Sequence, residues 1–228
     1  MRNDLIPAKI SSYRRSVSRG RYQQHFEASR TRPFHQGEQI YSADTAGICW
    51  RVVSGSVRLN RIDNDGEMLF ANLAVKDDVI GTETLLMGHY TFSAVALSDC
   101  ELAPWPEGLS SASKDALLHI LAAAERRTAD VVALRSGLAI DRVMRLIAML
   151  AQRDENHELC FALPKGQDIS EITDLRKETI SRTVSSLKQE GMIRKMKIPG
   201  HAIDRNYIFY GSTAWSADDG SNRVAQSR

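Results

Sequence analysis

The sequence predicts an α+β fold in which a small antiparallel β-barrel or jelly roll comes first and a helical region ending in a helix-turn-helix and a β-hairpin follows. Three observations carry this. Residues 34–106 break into short runs rich in Val, Ile, Leu and aromatics, punctuated by Gly, Asp and Asn, which is the all-β pattern. Beyond Pro106 apolar residues recur at spacings of three and four, the helical period. Residues 167–193 then hold two short amphipathic stretches on either side of Asp174. The 228 residues are enough for two modest domains, each able to bury a core.

Hydrophobic residues are 43% and charged residues 25% of the chain, which excludes wholly disordered, collagenous and coiled-coil classes. No apolar run reaches the roughly 18 residues needed to span a bilayer, and residues 1–32 lack the apolar core of a secretory signal. A cytoplasmic address with no membrane partner is expected. Cys49, Cys100 and Cys160 lie far apart and form no CxxC, which predicts reduced thiols, with no disulfide framework and no metal or iron–sulfur motif.

Charge is unevenly placed. Residues 1–32 hold eight Lys/Arg against two acids, and residues 176–205 hold eight against three. An acidic body therefore carries two basic patches, each able to attract a polyanion. The Ser/Arg-rich residues 1–30 read as a basic leader, a solvated arm whose composition also resembles an organellar transit peptide.

Strands are expected at 48–53, 57–62, 68–74 and 92–97. The Asp65-Gly66 pair predicts a tight hairpin between the second and third of these, because both residues tolerate positive φ. Evenly spaced antiparallel strands favour a small barrel or jelly roll. After them Leu117, Leu121, Ala124, Thr128, Val131 and Leu138 form a heptad-like stripe on a helix of about 25 residues. A barrel of this size covers such a helix poorly, so the stripe predicts a homodimer seam. Gly137 offers a break, and Ile140, Val143, Met144, Ile147 and Ala148 mark another amphipathic helix. A short strand at 160–163 follows.

Ile169 and Ile172 then mark a short helix, Asp174 a tight turn, and Ile180, Val184 and Leu187 one face of a second helix that ends at Gly191. Two helices joined this way can lay the second in a DNA major groove. The face opposite Ile180 and Leu187 bears Glu178, Ser181, Arg182 and Ser185, with Lys177 at the N-terminal end. Arg can donate two hydrogen bonds to guanine, Glu can accept from cytosine N4, and Ser can do either. Arg194, Lys195 and Lys197 lie on a strand that turns at Pro199-Gly200 and returns over 206–210. This hairpin makes a wing whose cations can neutralise phosphates. Arg176, Ser185 and Lys188 are further candidates for phosphate contact. Double-stranded DNA is the expected partner.

At these residues the chain resembles the cAMP receptor protein/FNR superfamily of bacterial transcription regulators, across about residues 31–211. The most specific motif is Lys177-Glu-Thr-Ile-Ser-Arg182, which resembles the Glu-x-x-Ser-Arg recognition signature of FNR- and FixK-like members. Looser matches are Gly37-Glu38, Ser54-Gly55-Ser56-Val57, Asp65-Gly66, Asp78-Val-Ile-Gly81, Leu85-Leu86 and Phe92-Ser93-Ala94. The resemblance implies, after the leader at 1–30, a double-stranded β-helix sensor domain at 31–110, a dimerisation helix at 111–137 and a winged helix-turn-helix at 138–211. It also implies a homodimer that binds a two-fold TTGAT–ATCAA-like site and recruits RNA polymerase, with Glu178, Ser181 and Arg182 reading bases and Lys177 assisting. Residues 212–228, rich in Ser, Asp, Gly and Asn, are expected to be a disordered tail.

Departures from the family pattern bear on the signal. Nucleotide-binding members have a Glu directly after the glycine matched to Gly81, and an Arg just before a small residue matched to Ser93. Here those positions hold Thr82 and Phe92. An apolar ring cannot neutralise a phosphate, so Gly81, Thr82, Phe92 and Ser93 are expected to form a degenerate effector pocket without cAMP binding. Glu83, one residue out, is expected to point elsewhere. The leader lacks the clustered cysteines of FNR-type oxygen sensors. No resident cofactor is expected, and the effector is unknown: His25, His35, His89, His119 and the three thiols are available to a haem or redox signal. Asp174 stands for the usual turn glycine, and Arg176 for the usual Ser or Thr before the recognition helix, a poor N-cap.

Two rival classes remain. A cupin-type metalloenzyme needs clustered His and carboxylate ligands, but the six histidines form no HxH or HxxxH pair, and GxSxG, P-loop and HExxH motifs are absent. The protein is therefore expected not to be an enzyme. The other alternative is a ligand- or redox-sensing β-barrel signalling protein whose helices serve only dimerisation.

Overall fold

The computed structural model describes residues 31–63, 65–106, 112–196 and 206–211. The expectations for the leader, Lys197, the Pro199-Gly200 turn and the tail lie outside the described residues.

In chain order the first domain comprises β1 (Arg32–Phe34), β2 (Gln39–Tyr41), β3 (Cys49–Ser54), β4 (Ser56–Ile62), β5 (Met68–Val75), β6 (Val79–Ile80), α1 (Thr84–Met87), β7 (Ser93–Ala96) and β8 (Cys100–Trp105). Two four-stranded antiparallel sheets result, ordered β1-β8-β3-β6 and β2-β7-β4-β5. Non-sequential neighbours in both sheets give the jelly-roll pairing. Val52, Val57, Ala94 and Leu102 are fully buried among Phe34, Trp50 and Ile80. Burial of each large side chain stabilises by about 1.5–3 kcal/mol.

Local geometry explains two of the turns. Gly55, between β3 and β4, has φ +79°, and a Cβ there would stand 2.2 Å from the Asp99 carbonyl oxygen, so only glycine fits. The β4–β5 hairpin forms with Ile62 opposite Met68, but it is not the two-residue turn that Asp65-Gly66 suggests. Gly66 alone of that pair has positive φ, at +82°. Asp63 closes a longer loop by accepting from the backbone N–H groups of Asp65 and Glu67, both at 2.9 Å, the side-chain mimicry of a turn that Asp favours.

α2 (Lys114–Ala133) starts at Ser113, whose hydroxyl accepts from Ala116 N–H at 3.1 Å, a standard N-cap bond. It is shorter than the expected 111–137. Gly137, at φ +87°, separates it from α3 (Ala139–Leu150). Leu138 is therefore not on the stripe; it is the N-cap residue of α3. Val131 also leaves the seam, because it is buried in the chain's own core. Leu117, Leu121, Ala124 and Thr128 remain exposed on α2.

β9 (Gln152–Arg153), β10 (Leu159–Ala162), α4 (Gly166–Thr173), α5 (Lys177–Gln189), β11 (Ile193–Lys195) and β12 (Asn206–Phe209) complete the described chain. The wing pair β11–β12 extends into a four-stranded sheet, β11-β12-β10-β9. Val143, Leu146, Ile147, Ile169, Ile172, Ile180 and Leu187 form its apolar core, which is continuous with Leu73, Val75 and Leu97 of the first domain and with Leu134. One apolar body thus joins both halves.

Candidate nucleic-acid interface

The helix pair is held from behind. Ile169 and Ile172 on α4 and Ile180, Val184 and Leu187 on α5 are buried, which leaves the opposite face of α5 in solvent. Lys177, Glu178, Ser181, Arg182 and Ser185 are all exposed there. The turn between the helices is set by Asp174 in the left-handed region, at φ 55°. Asp tolerates this conformation better than most residues. Ser170 Oγ donates to the Leu175 carbonyl at 2.6 Å and Thr173 Oγ1 to that of Ile169 at 2.6 Å.

Arginines that belong to no motif of the sequence grip this turn. Arg135 donates to the carbonyls of Glu171 at 3.0 Å and Ile172 at 3.4 Å, and Arg142 to that of Thr173 at 3.2 Å. These are carbonyls at the C-terminal end of α4, where cations offset the helix dipole. No spacing in the sequence pairs residues more than 30 positions apart in this way. Burial pushes the Glu171 carboxyl up, but hydrogen bonds from Gln167 and Arg58 and the charges of Arg58 and Lys177 outweigh it and hold the group below its ordinary value.

Arg176 occupies the N-cap of α5 with extended backbone and makes no side-chain cap bond. It is exposed beside the reading face, as are Arg194 and Lys195 on the wing. Lys188 directs its ammonium over the Tyr207 ring at 4.9 Å, and Arg194 lies over Tyr210 at 5.4 Å. Their stems are thereby splinted against aromatic surface.

The expected effector pocket corresponds to a cavity of about 320 Å³ between the second sheet and α2, lined by Tyr41, Gly81, Thr82, Glu83, Phe92 and Arg127 among others. Two expectations need correction. Ser93 does not line it; the residue is buried and its hydroxyl accepts from Ala43 N–H at 3.0 Å. Glu83 does line it: it stands in helical conformation at the start of α1 instead of continuing a strand, without a cap bond, and its carboxylate accepts from Thr91 N–H at 3.1 Å. The Arg127 guanidinium in the wall is held by Asp78, with Asp130 at 3.7 Å.

The thiols are poor nucleophiles. Burial is the leading cause in each: it pushes Cys49 up, while Cys100 reaches about 12 and Cys160 about 11 with added repulsion from neighbouring carboxylates. Cys160, Asp154 and Glu158 bring their ligand atoms within 4.8 Å of one another, but Asp154 is engaged in closing its own loop by accepting from Asn156 and Glu158 N–H.

Residues 31–108 match the cyclic nucleotide-binding domain family, and residues 141–203 match the Crp-like helix-turn-helix domain family. The nitrogen fixation regulation protein FixK of Azorhizobium caulinodans is 31% identical over 175 residues, covering 70% of this chain and 69% of that protein. The chain belongs to the CRP/FNR family of transcription regulators. FixK of Rhizobium meliloti is 24% identical over 162 residues, covering 70% of this chain and 76% of its own. In fold, the crystal structure of FixK2 from Bradyrhizobium japonicum superposes with a TM-score of 0.57 at 23% identity, over 80% of this chain and 92% of that one. A helix-turn-helix that binds DNA is therefore common to this CRP/FNR protein and its relatives, and its fold is the family's mixed architecture. No helix among the described residues is long and apolar enough to cross a membrane.

Proposed function

We propose that the protein is a homodimeric, sequence-specific transcription regulator that reads an inverted, TTGAT-like repeat with α5 and does not respond to cAMP. The observation that carries this is the free side of α5: Glu178, Ser181, Arg182 and Ser185, with Lys177, stand in solvent while the back of the same helix is buried. The donor and acceptor set matches base edges, and Arg176, Lys188, Arg194 and Lys195 flank it as phosphate contacts.

Dimerisation is supported by the apolar stripe on α2, where Leu117, Leu121 and the neighbouring Leu118 are exposed at 41%, 65% and 63%. Residues of that kind on a 20-residue helix are costly to leave in water. Two copies paired there would present two α5 helices to successive major grooves about 34 Å apart. RNA polymerase is the partner that family resemblance adds, and the work would be done in the cytoplasm. Independence from cAMP is supported by the cavity wall: its Arg127 already has carboxylate partners, and Phe92 offers a cyclic phosphate nothing.

The test is binding of the full chain to duplexes bearing the repeat. Arg182→Ala should lose about 1–3 kcal/mol and relax the choice at one base position, whereas Lys195→Ala should weaken all duplexes alike and lower the salt dependence. Equal losses on cognate and scrambled DNA for Arg182→Ala would remove α5 as the reader. Leu121→Glu should shift the sedimenting species to monomer and cost affinity for the full repeat.

A further inference from the structure

Arg58 on β4 is a charged residue only 9% exposed. Its Nε donates to Asn60 Oδ1 at 2.5 Å, one terminal nitrogen meets Asp168 Oδ1 at 3.1 Å, and the other meets the Glu171 carboxylate. Both acids lie on α4, over a hundred residues along the chain. The clamp continues sideways. Phe70 of β5 has the guanidinium carbons of Arg58 and Arg135 each 5.8 Å from its ring centroid, and Arg135 holds the Glu171 and Ile172 carbonyls. The first domain thus grips α4 by its side chains through Arg58, while Arg135 of the α2–α3 link holds its backbone, and the two cations share one aromatic ring.

A guanidinium this buried is held in place only if every donor has a partner, and a misaligned partner leaves a costly unpaired charge. Its hydrogen bonds are directional, whereas the apolar surface shared by the two halves resists separation without fixing an angle. α4 packs directly on α5 through the tight turn, and the link from α2 to α3 runs through Gly137 at φ +87°. Rotation of the helix pair about that link would break the Arg58 contacts to Asp168 and Glu171.

We propose that Arg58 is a positioning residue for DNA reading: from the first domain it sets the angle of α5 and, through it, the distance between half-sites that the protein accepts. This rests on the dimeric reading above. The clamp leaves Glu178, Ser181 and Arg182 exposed, so the orientation it fixes is one in which the reading face is free.

The experiment uses the full-length chain, duplexes carrying two inverted TTGAT half-sites with the spacer changed one base pair at a time, and a duplex with a single half-site. The unaltered protein should prefer its best spacer over the neighbouring ones by about tenfold or more, since off-register half-sites cannot both meet a rigid dimer. Arg58→Met should reduce that preference to about threefold or less and leave single-half-site affinity unchanged, a split that general destabilisation would not produce. Glu171→Gln, which keeps the shape of a partly exposed residue, should show a smaller loss in the same direction and serves if Arg58→Met does not fold. Full spacer preference in Arg58→Met, or in Glu171→Gln when Arg58→Met does not fold, overturns the proposal. Parallel loss on the single half-site overturns it too. Absence of any spacer preference in the unaltered protein instead overturns the dimeric reading, and the proposal with it.

Discussion

The guanidinium of Arg127 takes both carboxylate oxygens of Asp78, at 2.8 and 3.2 Å, and so ties α2 to the loop between β5 and β6. Asp78 Oδ2 also accepts from Val75 N–H at 2.8 Å. Both side chains are at most one-fifth exposed, so solvent screens the pair little. Arg127→Leu should cost about 2–3 kcal/mol by leaving the carboxylate half-satisfied. Urea unfolding measures this, and an unchanged midpoint would show that α2 is held by apolar contacts alone.

Arg176 is a poor N-cap that forms no cap bond. Arg176→Ser should stabilise the fold by about 1 kcal/mol, because a hydroxyl can accept from the free N–H groups of the first turn of α5. The same change should weaken binding to every duplex alike, through the loss of one phosphate partner. A rise in melting temperature together with a shallower salt dependence is the expected pair of readings.

With Cys160 at about 11 and Cys100 at about 12, about one Cys160 in ten thousand is thiolate at pH 7. Iodoacetamide should label the native protein slowly at neutral pH, and the Cys160 rate should climb until about pH 11. Mild peroxide should leave DNA binding intact. The folded values lie above the unfolded thiol value of about 8.5, so the thiols' contribution to stability is full below that pH and is lost as pH rises toward 11 and 12. Fast labelling at pH 7 would reopen thiol sensing.

Adding cAMP should leave the thermal midpoint where it is. A ligand bound only by the native state raises stability as its concentration exceeds Kd, by about 2.7 kcal/mol at a hundredfold excess. A midpoint that climbs with nucleotide concentration would mean that the cavity holds a phosphate without a free arginine in its wall.

Elements whose signals are local are legible in the amino-acid sequence. Short runs rich in Val, Ile, Leu and aromatics, bounded by Gly, Asp and Asn, mark β3, β4, β5 and β7 to within a residue or two, because such side chains suit a half-buried pleated surface. The i, i+4, i+7 spacing of Ile180, Val184 and Leu187 orients α5, since those three can be buried together only if Glu178, Ser181 and Arg182 face outward. Short strands such as β1, β6 and β9 leave no readable pattern; two or three residues carry too little periodicity, and their pairing with β8, β3 and β10 supplies what the residues themselves do not.

By itself the sequence determined the order of barrel, long helix and helix pair and the face of α5 turned to solvent. These follow from spacing and side-chain chemistry within one element. Only the tertiary structure decided that Val131 belongs to the core, that Leu138 has left the stripe, that Glu83 lines the cavity and that Arg58 spans to Asp168 and Glu171. Each of these depends on which distant surfaces meet, and a guanidinium finds its carboxylates across 110 residues only after the apolar faces between them have closed.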